Sequence, residues 1–487
     1  MSLTGNLFMG GQWQQGRGDP FASLNPANDQ TLWEGHAASD DDVEQALRLA
    51  SEAHPAWSAT QPSMRKDILL KFADLVENAK DELAMLITAE TGKPVWESLT
   101  EVASVVGKAK ASIEALDLRA AEIVRPGATT SRTWFRSHGV VAVLSPFNFP
   151  AHMGNGHVMP ALLAGNCVVL KPSEFAPAVG EYLVGLWQQS DLPRGVLSLL
   201  QGAADVGQML VNSTSIRGIF FTGSQRAGLS IATATVARPN VIVALEMGGN
   251  SPLVVWDYSD IRAAVLTTIQ STYITSGQRC SAARRLIVRA SDTEFISALC
   301  EAVSAIYVGE PTAEPAPYIG PMINADHVSK VLSAQERFIQ AGALSLVPAE
   351  GLALGPAYIK PGLIDVTDMR PRSDEEVFGP LLQVIRVNDF DAAIAEANFS
   401  EYGLAAGIVT QDRRLYERFR SEVECGIVNW NQQLTGASGL APFGGLKGSG
   451  NHRPSGFLAV DYCVQAVASM EVDTLAVPSQ LPHGLTV

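Results

Sequence analysis

Val140-Val141-Ala142-Val143-Leu144, followed at once by Ser145-Pro146-Phe147-Asn148-Phe149-Pro150, is a continuous apolar run that ends in a polar, proline-bounded turn. An apolar run without polar alternation reads as a strand buried on both faces, which is the habit of a parallel sheet. The pattern recurs downstream, with strands expected at 168–170, 197–200, 219–221 and 241–245. Helical stretches closing at 161–165 and spanning 182–187 and 227–236 separate them. Strands alternating with helices predict a doubly wound, Rossmann-like unit. In such a sheet ligands bind beyond the carboxyl ends of the strands, so the residues after each strand are the informative ones. Here they are Asn148 with its turn, Lys171-Pro172-Ser173-Glu174, Thr222-Gly223-Ser224, and Glu246-Met247-Gly248-Gly249-Asn250.

Working outward, Phe8 to Trp13 alternates and turns like a small hairpin decorating an edge. A helix is expected from Ser63 as N-cap, with Ile68, Leu69, Phe72, Leu75 and Val76 at helical spacing. A second helix carries Leu83, Leu86 and Ile87 and stops at Gly92 with Pro94 beyond. Residues 125–136 are polar and lack a helical period, so they read as an excursion from the core. A second α/β unit begins near Pro252. Its expected helices lie at 261–273, 294–306, 392–398 and 414–423, and its strands at 286–288, 381–387, 406–409 and 426–429. The tail alternates over 466–472, as a strand that pairs elsewhere would.

The chain has 487 residues, enough for two or three domains. A formal net charge of -15 argues against a nucleic-acid partner, which needs a basic face. No apolar run reaches membrane-span length, and the N-terminus lacks a signal-peptide pattern, so a cytoplasmic protein is expected. Five scattered cysteines without a C-x-x-C suggest neither disulfides nor a metal site. Cys167, Cys300, Cys425 and Cys463 read as inert, buried thiols, with Arg284 and Arg285 as solvated residues at a strand edge.

Cys280 differs from the other cysteines. It follows Ser276-Gly277-Gln278-Arg279, where a glycine turn can lift the sulfur clear of packed structure, and a thiolate attacks carbonyl carbon readily. Glu246 is the candidate base, with a solvated residue at the sheet rim as an equal reading. Asn148 is a candidate oxyanion donor, although an asparagine in a Pro-rich turn also commonly bonds its own backbone. The stretch Gly223-Ser224-Gln225-Arg226-Ala227-Gly228 is not G-x-G-x-x-G, and Ser224 as a plain helix N-cap is an equal reading; its place between strand and helix suits an anion. Lys171 and Glu174 follow a strand where a carboxylate can accept ribose hydroxyls and repel a 2′-phosphate, favouring NAD over NADP.

Taken together, Pro-Phe-Asn148-Phe-Pro, Lys171-Pro-Ser-Glu174, Phe221-Thr-Gly-Ser224, Glu246-Met-Gly-Gly249, Gly277-Gln-Arg-Cys280, Glu376-Val-Phe378-Gly-Pro380 and Pro442-Phe-Gly-Gly445 resemble, in order, the motifs of the aldehyde dehydrogenase superfamily. The resemblance spans nearly the whole chain. It implies a Rossmann-like NAD-binding domain (1–124 and 137–250), a second α/β catalytic domain (251–440), a small β oligomerisation arm (125–136 and 465–487), and a segment returning to the active site (441–464). It implies Cys280 as nucleophile, Glu246 as base, Asn148 as oxyanion donor, and Glu376 with Phe378 at the nicotinamide side. A homodimer or dimer of dimers is implied too. Asn250, Gly154-Asn155-Gly156-His157, Asn429-Trp430-Asn431 and Gly450-Asn451-His452-Arg453-Pro454 resemble the members that oxidise N-succinyl-L-glutamate 5-semialdehyde in arginine degradation. Arg279, His452 and Arg453 are then candidates for the substrate carboxylates. The competing expectations are another semialdehyde or aliphatic aldehyde as substrate, or a nucleotide-binding relative without catalysis.

Overall fold

The structure, a computed structural model, describes residues 3–487. Two seven-stranded sheets carry it. In the first, Ile242–Met247, Ile216–Gly223, Val140–Leu144, Cys167–Lys171 and Leu197–Leu199 lie side by side and parallel. Strand Val140–Leu144 has its successor on one side and the later Ile216–Gly223 on the other. That reversal of strand order opens a crevice at the carboxyl ends, where Asn148 and Ser224 both emerge.

The strands form where continuous aliphatic residues permit burial on both faces, and all of Val140–Leu144 and Cys167–Lys171 is buried. Helices Pro62–Asn78 and Pro177–Gln189 meet through Phe72 and Trp187, stacked with ring centroids 3.7 Å apart. The first of these begins at Pro62, one residue ahead of the expected Ser63 cap, because the fixed φ of proline already suits a first helical position. Gly92 ends helix Lys80–Thr91 in the left-handed conformation, as expected. The hairpin at 7–14 is more than a decoration: Leu7, Phe8 and Met9 are buried, and their strand pairs with Leu197–Leu199 to extend the sheet.

The second sheet runs Leu344–Val347, Gly362–Asp365, Leu381–Val387, Ala283–Arg289, Ser251–Val255, Ala405–Val409 and Ile427–Trp430, antiparallel only at the first pair. A separate antiparallel sheet joins Val464–Glu471 to Thr130–Ser137 and Ile123–Arg125. Several elements had no counterpart in the expected pattern, among them helices Asp40–Ser58, Val95–Arg119 and Ala325–Gln340.

Candidate active site

Glu246 lies at the carboxyl end of strand Ile242–Met247 in the first sheet, and Cys280 just ahead of strand Ala283–Arg289 in the second. The two meet, with Cys280 Sγ 3.9 Å from Glu246 Oε1. The cysteine is delivered by a short turn, Ile274–Gly277, in which Thr275, Ser276 and Gly277 take φ of 58°, 52° and 70°. Gly277 has to be glycine, since a Cβ there would lie 2.4 Å from the Gly379 carbonyl oxygen. Asn148 reaches the same turn: its Nδ2 donates to the Gln278 carbonyl at 2.9 Å, which uses one of the two N–H donors of the amide.

Glu246 is wholly buried, and its Oε2 has no hydrogen-bond partner. Burial pushes its carboxyl up to about 8, against the Cys280 hydrogen bond and the charge of Lys108, which pull it down. Burial likewise raises the Cys280 thiol, and the carboxylates of Glu246 and Glu376 raise it further, while the Ser281 backbone and Arg279 oppose them. Burial thus favours the uncharged form of both groups, a thiol beside a carboxyl that holds its proton. Segment 449–451 runs along the backbone of Glu246, with the Met247 N–H donating to the Ser449 carbonyl at 2.9 Å and Glu246 bridging Gly450.

Of the residues expected around a dinucleotide, Lys171, Glu174 and 223–228 lie at the carboxyl ends of strands in the first sheet, and Glu376 and Phe378 in the loop before strand Leu381–Val387 of the second. Lys171 Nζ donates to the carbonyls of Pro172 and Gly202 at 2.8 and 2.7 Å and lies 3.9 Å from Glu174, a carboxylate open to solvent. Gly223 ends its strand, and Ser224 caps helix Gln225–Thr235 through the Ala227 N–H. Gly228 allows that helix to lie against Met247, whose sulfur would be 2.3 Å from an added Cβ. Arg226 is exposed, whereas Gln225 is tied away, accepting from Tyr402 and donating to the Gly448 carbonyl. Glu376 accepts from the Gly249 N–H at 3.2 Å, and Phe378 packs edge-on to Phe147. A helix N-terminus at the carboxyl end of a strand, the solvent-open Glu174 carboxylate and a third ammonium hydrogen on Lys171 fit a dinucleotide.

The cations behave otherwise. Arg279 is committed inside the protein, to Glu97 Oε1 at 2.9 Å, Thr275 Oγ1 at 2.7 Å and the Thr435 carbonyl at 3.2 Å. Arg453 donates to the Gly445 carbonyl, and His452 is exposed. Arg284 and Arg285 are not solvated: both are buried, Arg284 over the Phe378 ring and on the Gly379 and Arg279 carbonyls, Arg285 on four carbonyls including Asn250. Five donors let a guanidinium spread its bonds over several backbone oxygens, although Arg284 Nε has none, so charge alone did not place these residues at the surface. Of the other cysteines, Cys167 and Cys463 are buried, and Cys300 and Cys425 only partly so.

Glu97, Glu101 and Lys108 escaped the reading of the sequence. All three are buried on helix Val95–Arg119, with Glu101 paired to Lys93 and accepting from the Ala151 and His152 N–H groups. Their spacing, four and seven residues apart beside Val102, Val105 and Ala109, was the available signal.

A thiol and a buried carboxyl facing each other beside the carboxyl ends of a doubly wound sheet are the groups that chemistry through a covalent sulfur adduct requires. The chain belongs to the aldehyde dehydrogenase family, whose model, described as "Aldehyde dehydrogenase family", matches residues 13–468. It is 46% identical over 483 residues to an N-succinylglutamate 5-semialdehyde dehydrogenase of Chromobacterium violaceum, covering 99% of each chain. A protein of the same description from Serratia proteamaculans is 44% identical, again over 99% of each chain. Among solved structures, an indole-3-acetaldehyde dehydrogenase of P. syringae in complex with NAD+ and IAA superposes with a TM-score of 0.91 at 29% identity, covering 97% of each chain. The aldehyde dehydrogenase KauB from Pseudomonas aeruginosa gives 0.91 at 31%, also covering 97% of each.

Proposed function

We propose that the protein oxidises N-succinyl-L-glutamate 5-semialdehyde to N-succinyl-L-glutamate with NAD, a step of arginine degradation. The observation that carries the chemistry is the 3.9 Å approach of Cys280 Sγ to a buried Glu246. The substrate rests on the near full-length similarity to relatives that bear its name.

Cys280 gives its proton to water and, as thiolate, adds to the aldehyde carbon, and the carbonyl electron pair moves to oxygen. Asn148, fixed against the nucleophile turn through Gln278, and the Cys280 backbone N–H hold the resulting alkoxide. Loss of hydride from that carbon, to NAD held by the crevice residues, would leave an acyl thioester on Cys280. Glu246 then takes a proton from water, the hydroxide adds to the thioester, and the C–S bond breaks to release the carboxylic acid and the thiolate. A buried carboxyl with a raised affinity for protons is suited to that duty. Lys171, Glu174 and the helix N-terminus at 223–228 would hold the adenosine end and the phosphates, with Glu376 and Phe378 near the nicotinamide. Residues 1–124 and 137–250 form the NAD-binding unit in this reading, 251–440 the catalytic unit, 441–464 the returning segment, and 125–136 with 465–487 the arm of a homodimer or dimer of dimers. A cytoplasmic location accords with a reduced Cys280, and among the described residues no helix is long and apolar enough to cross a membrane.

The test is NADH formation by purified protein with N-succinylglutamate semialdehyde, beside succinate semialdehyde and simple aliphatic aldehydes. Preference for the first, lost in Cys280→Ala, is the expected result. Turnover of only the simpler aldehydes would keep the mechanism and remove the substrate.

A further inference from the structure

Resting on the reading of Cys280 as nucleophile, we propose that Glu97 is a positioning residue, which holds the left-handed turn that presents the sulfur. Thr275 and Ser276 are non-glycine residues at φ 58° and 52°, a region that costs an L side chain free energy, most of all a β-branched one. Such a conformation persists only where the surroundings over-determine it. Here the constraint comes from a different unit of the chain. Glu97 is fully buried on helix Val95–Arg119, and its Oε1 accepts both the Thr275 hydroxyl and, at 2.9 Å, Arg279 Nη2. Arg279 Nε returns to Thr275 Oγ1 at 2.7 Å, closing a ring of three side chains around the turn.

The ring also reaches the Asn148 side of the site. The Arg279 guanidinium lies 4.8 Å from the centre of the Phe149 ring, and Lys93 Nζ lies 4.0 Å from it, so the residue after Asn148 is packed between two cations. Both cations have carboxylate partners on one helix, Glu97 and Glu101. Ser276 Oγ, donating to the Gly320 carbonyl at 2.7 Å, supports the turn from the other side. One carboxylate thus sets the nucleophile turn directly, and the turn of Asn148 through Arg279.

A single oxygen serving two donors makes the prediction specific. Glu97→Gln retains an oxygen and loses the charge that binds Arg279; it should lower kcat about tenfold or more with KM changed less than twofold, as displacement of a reacting group by a fraction of an ångström does. A crystal structure of that variant should show Thr275 leaving the left-handed region and Cys280 Sγ moving away from Glu246. Thr275→Val should reproduce the loss of kcat, and Thr275→Ser, which keeps the hydroxyl, should recover it. Glu97→Gln, which leaves Arg279 without its charged partner, should also lower the melting temperature; Glu97→Gln/Arg279→Gln removes both charges and should recover it while kcat stays low. If kcat recovered together with melting temperature, or if the turn and kcat were unchanged in Glu97→Gln, the proposal would be overturned. Were the wild type to turn over no aldehyde, the functional reading would fail, while the position of the turn in the variant structures would still decide this one.

Discussion

Glu246 is a carboxyl without solvent exposure, so its protonation is set by burial rather than by its ordinary value of 4.5. As the proposed base for hydrolysis it works only when ionised. The hydrolytic step should therefore accelerate as pH rises through about 8 and be slow below it, measured as kcat against pH. The same shift has a consequence for stability. Between 4.5 and about 8 the folded chain keeps a proton that the unfolded chain has released, so this group's contribution to stability falls as pH rises across that window. Glu246→Gln should flatten both profiles. It should also leave acylation intact and block deacylation, giving one rapid equivalent of NADH per active site and then turnover slower by about 10²-fold or more.

At the scale of elements, the site depends on places where backbones approach too closely for a side chain. At Gly277 an added Cβ would lie 2.4 Å from a backbone oxygen, on a residue at φ 70°. Gly277→Ala is expected to cost about 1–3 kcal/mol, read as a lower denaturation midpoint, together with loss of turnover. Gly248 is a second such point, with an added Cβ 1.7 Å from Oε2 of Glu376, the residue we propose lies near the nicotinamide. There the obstacle is a side-chain carboxylate, which can swing away. Gly248→Ala should therefore leave the fold in place and weaken NAD binding, seen as a higher dissociation constant in a fluorescence titration.

For the whole molecule, the long-range pairing of Val464–Glu471 with Thr130–Ser137 is the largest feature outside the two sheet units. Its eight-residue register is reinforced by Arg132, which bonds both Glu471 and Glu122. The neighbouring strand exposes Ile123 and Val124, at 48% and 45%, an apolar edge suited to a second copy. On the proposed reading of a homodimer or dimer of dimers, deletion of residues 465–487 should leave a single chain in light scattering. An unchanged mass would remove the arm from the assembly.

What the sequence determined alone was local. Val140–Leu144 and Cys167–Lys171 declare themselves by unbroken aliphatic character, Gly92 by its place at a helix end, and Cys280 by the glycine turn before it. These depend on neighbours within a few residues, which periodicity and turn chemistry report directly. The rest was decided only when the chain was packed. Cys280 meets Glu246 from another sheet, 34 residues away, and Thr275 meets Glu97 from a helix 178 residues upstream. Arg284 and Arg285 are buried although their charge suggested solvent, because backbone carbonyls from distant segments surround them. Their environment is created by tertiary contact, and no local pattern carries that information: a charged side chain is stable inside a protein only when partners far along the chain arrive to meet it.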